Sequence, residues 1–412
     1  MLLELSQTLH SDAFAQSARH PDFPRAFTRR RQLPLPALVA TLLCMRASSQ
    51  QCLLDSVFGA MRDTAAMVRG VSDRAFAKAR SHLHMPALSA LNDQVLAHAE
   101  RAGMVPRWQG LRLVAADASV LTPAIRRCKR TQHLAGADQR LFALYLPGAE
   151  LTVHAAVHSA CESERAMLAN ALDKLSPADV LLLDRGYPAA WLVNLLNERG
   201  LKFVIRCDTT SGGWRSLRQF MRSDQDEADI VLKAPKAQDA ADWNCSALAP
   251  AVRVVRSIAP NGQIRVLMTN LSAQQAPAAA FGALYHRRWR IEEAFKRLKW
   301  RLKLEAVSGL SQHAVLVDVA AKVLADNLCA LMCAAAHANA MASADKRCAP
   351  TSALHILQRA LPRLLLAAGC LPTLLGDMLA MIARSLKRQQ TGRTTPRPDV
   401  RSKPHPNLAY KG

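Results

Sequence analysis

The sequence predicts an α/β protein with helical regions at both ends, and three observations carry that expectation. Apolar runs of strand character cluster between residues 111 and 207, where they alternate with helical segments. Apolar residues at helical spacing dominate before residue 105 and after residue 300. Residues 208 to about 275 differ from both, being rich in Trp, Asp, Gly and Pro with only short β-like runs. With 412 residues, 50% of them hydrophobic, the chain is long enough for two or three domains around a substantial core.

The elements follow in order. Segments 35–45, 53–68 and 85–99 have helical spacing and few β-branched residues, and Ser72 before Asp73 offers an N-cap. Arg25, Arg29, Arg30 and Arg31 sit beside prolines and are expected in a loop or helix entry. From Leu111 the pattern turns to strands, with LRLVAAD, LFALYL and ELTVHAAVH in succession. A helix through 167–175, a strand over 179–183, a helix over 189–199 and the strand KFVIRC come next. Three strands, helix, strand, helix and strand is the order of a ribonuclease H-like core. Residues 208–275 then read as a β-rich insertion, with IVLKA, RVVRSI and IRVLMTN as its strands. Helices are expected over 315–337 and 353–386, and the basic, proline-rich end from Arg388 is expected to be extended or disordered in isolation.

Charge narrows the function classes. Fifty-four Lys and Arg against 32 Asp and Glu leave +22 at pH 7, which favours a polyanionic partner, because each neutralised phosphate releases condensed counterions. DNA or RNA is the default partner on charge alone. No N-terminal signal is visible, and the most apolar candidate span, 314–336, carries Asp318, Lys322 and Asp326, so no membrane partner is expected. A cytoplasmic, nucleoid-associated protein fits. The ten cysteines form no CxxC pair, which argues against a zinc ribbon. Cys329, Cys333 and His337 line one helical face but read as core packing.

The chemistry concentrates in YHRRWRIEEAFKRLKW, residues 285–300, read as one helix. At about 100° per residue, Tyr285, Arg288, Glu292 and Lys299 fall within roughly 60° of one another. Leu284, Ile291, Phe295, Leu298 and Leu302 supply an opposing apolar face for packing. The i,i+4 pairs Glu292–Lys296 and Glu293–Arg297 also suit an ordinary solvated face. Glu293 lies about 100° around from Glu292. Asp117 follows LRLVAA and Asp184 follows VLLL, each where a buried strand surfaces. Alone, either aspartate suits a turn or an N-cap. With Glu292 they make a three-carboxylate set of the kind that holds two Mg²⁺ ions for phosphoryl transfer.

Three motifs together resemble the DDE transposases of the bacterial insertion-sequence-four family. They are Asp117 on the first core strand, DRGY at 184–187, and Tyr-x2-Arg-x3-Glu-x6-Lys filled by Tyr285, Arg288, Glu292 and Lys299. The likeness runs from about residue 20 to 411, although Ala118 intervenes before Ser119 where the family commonly has small hydroxyl residues. The resemblance implies that Asp117, Asp184 and Glu292 are the catalytic and metal-binding triad, with Mg²⁺ or Mn²⁺ as the ion and two ions bound. It implies that Tyr285, Arg288 and Lys299 contact DNA phosphates. It also implies binding of terminal inverted repeats, strand cleavage and strand transfer, with a homodimer in the DNA complex.

The expected organisation is a helical N-terminal DNA-binding region (1–105), a catalytic domain (106–335) and a helical C-terminal region with a basic tail (336–412). A catalytically silent DNA-binding regulator and a ribonuclease H-like nuclease or resolvase remain alternatives. Trp214 or Trp243 could stack on a flipped base. His154, His158, Glu162 and Glu164 could sit behind the acidic set and support it, but they match no signature and are expected to be structural.

Overall fold

The computed structural model describes the chain apart from residues 30–31, 46–48, 63–68, 123–138, 208–213, 259–261, 263, 310, 344, 367–370 and 389–412. The basic tail beyond Arg388, and Arg30 and Arg31, therefore lie outside the described residues. Two compact units divide the chain: residues 105–120 with 139–295, and residues 1–104, 121–138 and 296–412.

In the second of these the helices are α1 (Leu2–Leu9), α2 (Asp12–Ser17), α3 (Leu35–Leu43), α4 (Gln50–Arg62), α5 (Asp73–Ser81) and α6 (Pro86–Arg101). They pack with α13 (Gln312–Asn339), α14 (Pro350–Leu366) and α15 (Leu371–Arg384). Ser72 caps α5 as its sequence suggests, its hydroxyl accepting the Ala75 N–H at 3.2 Å. Two of the charged groups buried here are paired. Arg297 meets Asp326 at 2.7 Å, and the wholly buried Lys322 ammonium donates to the carbonyls of Lys303 and Ala306. Among the described residues no helix is long and apolar enough to cross a membrane.

Among the described residues, the other unit is built on a nine-stranded sheet. Its strands are β1 (Arg107–Trp108), β2 (Leu111–Leu121), β3 (Gln139–Leu146), β4 (Leu151–Ser159), β5 (Asp179–Leu183), β6 (Lys202–Cys207), β7 (Glu227–Val231), β8 (Ala251–Ile258) and β9 (Ile264–Thr269). The order is β4-β3-β2-β5-β6-β9-β8-β7, with β1 pairing off this path on β2. β2, β5 and β6 run parallel, while β4 lies antiparallel to β3. β4-β3-β2-β5-β6 is the order expected of a ribonuclease H-like core. α7 (Glu164–Ala169) precedes β5, and α8 (Ala190–Glu198) follows it. β5 reads DVLLL and is buried at every position, as a central parallel strand must be.

The insertion is more than a run of strands. It carries two short helices, α9 (Arg215–Arg222) and α10 (Ala237–Asp242), and its strands prolong the main sheet, β9 pairing antiparallel with β6. Its outer strand β7 places the charged Glu227 and Asp229 along the sheet edge, which discourages further pairing.

The register of β2 against β5 is fixed by a buried ion pair. Arg112 faces Asp179 in the ladder and binds its carboxylate bidentately, at 2.6 and 2.8 Å. Asp179 is fully buried and also accepts the Ser176 N–H at 2.8 Å. Removing the guanidinium would strand a buried charge, a loss of about 3–5 kcal/mol. Arg112→Ala is therefore expected to lower the thermal midpoint by several degrees, as followed by circular dichroism, with Asp179→Asn added in the same chain restoring part of the loss. A midpoint unchanged in Arg112→Ala would mean that the pair does not hold the register.

Candidate active site

Register brings the two aspartates together. Ala115 on β2 stands opposite Leu182 on β5, and Asp117 and Asp184 each lie two residues further along in the same parallel sense. β2 is buried from Leu113 to Ala116 and half-buried from Asp117 to Ser119, whereas Asp184 directly follows the last residue of β5. Each carboxylate is turned by its own backbone. Asp117 Oδ1 accepts the Ala118 N–H at 2.8 Å, and Asp184 Oδ1 accepts the Arg185 N–H at 2.7 Å.

The third carboxylate arrives on a helical segment that is not uniform. α11 (Phe281–His286) passes into a 3₁₀ turn over Arg287–Trp289, then α12 (Arg290–Lys296), then a π turn over Arg297–Arg301. The single 100° periodicity expected for residues 285–300 therefore applies only in part, since 3₁₀ and π turns wind at different angles. The apolar face still packs as expected. Leu284, Ile291 and Phe295 are buried, each contributing on the order of 2 kcal/mol relative to exposure. That packing leaves Glu293 exposed and Glu292 half-buried.

Arg288 joins the three acidic groups. Its side chain is only 6% exposed. Nη1 lies 3.3 Å from Asp117 Oδ2, while Nη2 lies 2.9 Å from Glu292 Oε1 and 3.9 Å from Asp184 Oδ2. Tyr285 supports the same group from below. Its buried hydroxyl donates to the Leu183 carbonyl at 3.2 Å, stands 3.5 Å from Asp184 Oδ1, and its ring lies 5.9 Å from the guanidinium carbon. Burial raises the Tyr285 phenol well above its ordinary value, so it stays a donor.

The Arg288 guanidinium does not offset the burial of Asp117. Burial pushes the Asp117 carboxyl up to about 6; Arg288 and the Ala118 N–H pull it down, and Glu164 and Asp184 add like-charge repulsion. Oxygen donors with a residual need for positive charge fit a hard divalent cation. Among the described residues no three His, Cys, Asp or Glu side chains are gathered so as to hold a metal ion as they stand. The oxygens of Asp117, Asp184 and Glu292 are directed at Arg288 instead.

Two further residues border the cluster, and sequence reading assigned neither to it. Glu164 opens α7, with Oε1 3.6 Å from Arg140 Nη1; burial raises its carboxyl, Arg140 lowers it and Asp184 raises it further. Tyr187, the last residue of DRGY, is fully buried, and its hydroxyl has no hydrogen-bond partner among the described residues. The charges that bear on that hydroxyl are those of Asp117, Glu164, Arg288 and Asp184.

Other expected residues take different places. Lys299 belongs to the other unit, where its ammonium lies 3.6 Å from Glu305. His158 pairs with Glu162 at 2.9 Å, and burial lowers the pKa of His154. Trp243 stacks on Trp191 with centroids 4.7 Å apart and planes within 6°, whereas Trp214 is half-buried at the start of α9. Cys329 is buried within α13, and the Cys333 carbonyl accepts the Cys348 thiol at 3.5 Å.

With this geometry in place, comparison with known proteins adds a family. The family model described as a transposase DDE domain matches residues 108–328, more than half of the chain. No curated protein matches the sequence. Among solved structures, the chain is similar to the piggyBac transposase synaptic complex with hairpin DNA, determined by cryo-electron microscopy, at 10% identity. That alignment covers 95% of this chain and 87% of the other with a TM-score of 0.44.

The raised Asp117 carboxyl has a signed consequence. The folded state holds its proton up to about pH 6, whereas the unfolded chain releases it near the ordinary carboxyl value of 3.8. Ionised Asp117 therefore costs stability above about pH 6, and the cost vanishes below the unfolded value. Asp117→Asn is expected to stabilise the fold by about 1–3 kcal/mol at pH 7.5 and to leave it unchanged near pH 3.5. Denaturant titrations at the two values check this, and a destabilised variant at pH 7.5 would contradict it.

Proposed function

The chain belongs to the transposase DDE domain family, and on that premise we propose that it is a DNA transposase. It binds terminal inverted repeats, hydrolyses a phosphodiester to free a 3′-hydroxyl, and uses that hydroxyl to attack target DNA. The observation that carries this reading is the convergence on Arg288 of three carboxylates drawn from β2, the end of β5 and α12.

Asp117, Asp184 and Glu292 would hold the divalent cations, two Mg²⁺ ions with Mn²⁺ as a substitute. Bound there, the ions would activate the attacking oxygen and stabilise the leaving one. Arg288 supplies a planar donor pair suited to a phosphate, and it can exchange carboxylate oxygens for phosphodiester oxygens without changing its charge. Tyr285 anchors the end of β5 through the Leu183 carbonyl and so fixes Asp184. A phosphate contact from its hydroxyl would require that bond to be exchanged. Lys299 is proposed as a further phosphate contact on the strength of the signature alone.

The excess of 54 Lys and Arg over 32 Asp and Glu supports double-stranded DNA as the partner. The helical region before residue 105 is proposed to bind the element ends, residues 106–335 to do the chemistry, and the helical region beyond to complete the protein. A homodimer is proposed for the complex with paired ends. A cytoplasmic, nucleoid-associated location follows from the same reading.

Strand cleavage of labelled element-end DNA with Mg²⁺ tests the proposal. Asp184→Ala and Glu292→Ala are each expected to reduce cleavage by at least about 100-fold, more than loss of an outer-shell partner costs. Cleavage that survives either substitution at the wild-type rate would remove the proposal. Binding of the ends without cleavage by wild-type protein, with either ion, would favour the silent regulator instead.

A further inference from the structure

Cys333, in the C-terminal half of α13, meets a second sulfur from outside that helix. Cys348 ends β10 (Lys346–Cys348), a short strand paired antiparallel with β11 (Leu386–Arg388). β10 packs against α13, and the Cys348 thiol donates to the Cys333 carbonyl at 3.5 Å. The two thiols are also in hydrogen-bond contact. That contact, ahead of burial and the like charge of Cys333, holds Cys348 well above the ordinary thiol value. Both residues are half-buried, and both are free thiols.

The ordinary role of a cysteine in an apolar helix is to pack as a small hydrophobe. Cys44, Cys207 and Cys245 suit it, their thiols donating to the carbonyls of Gln358, Ile205 and Trp191. What sets Cys333 and Cys348 apart is that each faces the other, and the backbone on both sides of the pair is tied. Where the chain leaves α13, the Ala342 N–H donates to the His337 carbonyl at 3.2 Å, and His337 Nε2 lies 3.2 Å from the Ser343 carbonyl. Beyond Cys348, the Ala349 N–H donates to the Ser385 carbonyl at 3.2 Å. Two sulfurs held in contact this way are a side-chain rotation from the bonded S–S distance of about 2.05 Å.

We propose that Cys333 and Cys348 are a modification site, forming a reversible disulfide when the chain meets a hydroperoxide, independently of the DNA chemistry above. The Cys333 thiolate attacks one peroxide oxygen and the O–O bond breaks, leaving a sulfenic acid and a hydroxide that takes up a proton as water. The Cys348 sulfur then attacks the sulfenic sulfur. The S–S bond forms, the S–O bond breaks, and the Cys348 proton leaves with the hydroxyl as a second water. The two thiols lose two electrons and the peroxide gains them. Cys348, the thiol held protonated, is thus the resolving group. The bond would staple α13 to the β10–β11 ribbon and close the chain between them into a loop, which restricts the unfolded state more than the folded one.

The test treats reduced, desalted full-length protein with hydrogen peroxide, blocks the remaining thiols with an alkylating agent and maps the peptides by mass spectrometry. A cross-linked peptide joining Cys333 to Cys348 is expected, lighter by a pair of hydrogens than its separate halves and lost on treatment with dithiothreitol. The melting midpoint of the oxidised protein is expected to rise by several degrees and to return on reduction. Cys348→Ser should show neither the cross-link nor the rise, whereas Cys161→Ser, which removes an exposed thiol, should show both. If Cys348→Ser fails to fold, Cys333→Ala serves in its place. Recovery of Cys333 and Cys348 as separately alkylated thiols, at a peroxide dose that oxidises the exposed Cys52 and Cys161, would overturn the proposal. So would a link from Cys348 to any other cysteine, or oxidation of both residues to sulfinic acids without a cross-link.

Discussion

A single buried guanidinium, that of Arg288, organises the acidic centre. It meets Asp117, Glu292 and Asp184 at 3.3, 2.9 and 3.9 Å, and without it three negative charges would face one another with little water to screen them. Each partner is delivered by a different device: Asp117 by a central strand, Asp184 by the neighbouring parallel strand, and Glu292 by a helix whose apolar face is packed. The Arg112–Asp179 pair at the far end of β2 and β5 keeps the two aspartates abreast. A slip of one residue there would send Asp117 to the opposite face of the sheet.

The centre carries costs that packing alone would not select. Asp117 is buried enough to hold its proton up to about 6, and the Tyr187 hydroxyl is buried without a partner among the described residues. Such departures from the best-satisfied arrangement are what functional sites retain at the expense of stability. On the proposed reading they share one cause, which is that the cluster is shaped for more positive charge than the chain itself supplies. Arg288 provides part of it and is the right group to hand its hydrogen bonds to a phosphate.

Much of this was legible in the sequence, and the rest was hidden for identifiable reasons. The apolar runs LRLVAA and VLLL announced the strands that carry Asp117 and Asp184, because buried parallel strands read as unbroken hydrophobic stretches. Ser72 announced the start of α5. The apolar stripe from Leu284 to Phe295 told which face of the helix packs, but not what the polar face meets, so Arg288 read as a phosphate clamp, whereas in the fold its partners are carboxylates. The 3₁₀ and π turns around α12 left no signal, since the same residues suit all three helical windings. That β9 pairs with β6 depends on contacts distant in sequence, which strand-like composition cannot specify. Glu164 read as structural because it matches no signature. The signal available was its position shortly before the strand that leads into DRGY.

The most direct measurement is the Mn²⁺ affinity of Arg288→Gln against that of the wild-type chain, in the absence of DNA. If the guanidinium stands where cations would bind the three carboxylates, removing its charge should tighten Mn²⁺ binding, by about tenfold for each 1.4 kcal/mol of competition relieved. Affinity unchanged or weakened, in a variant that melts as a folded protein, would contradict an acidic centre held in balance by Arg288.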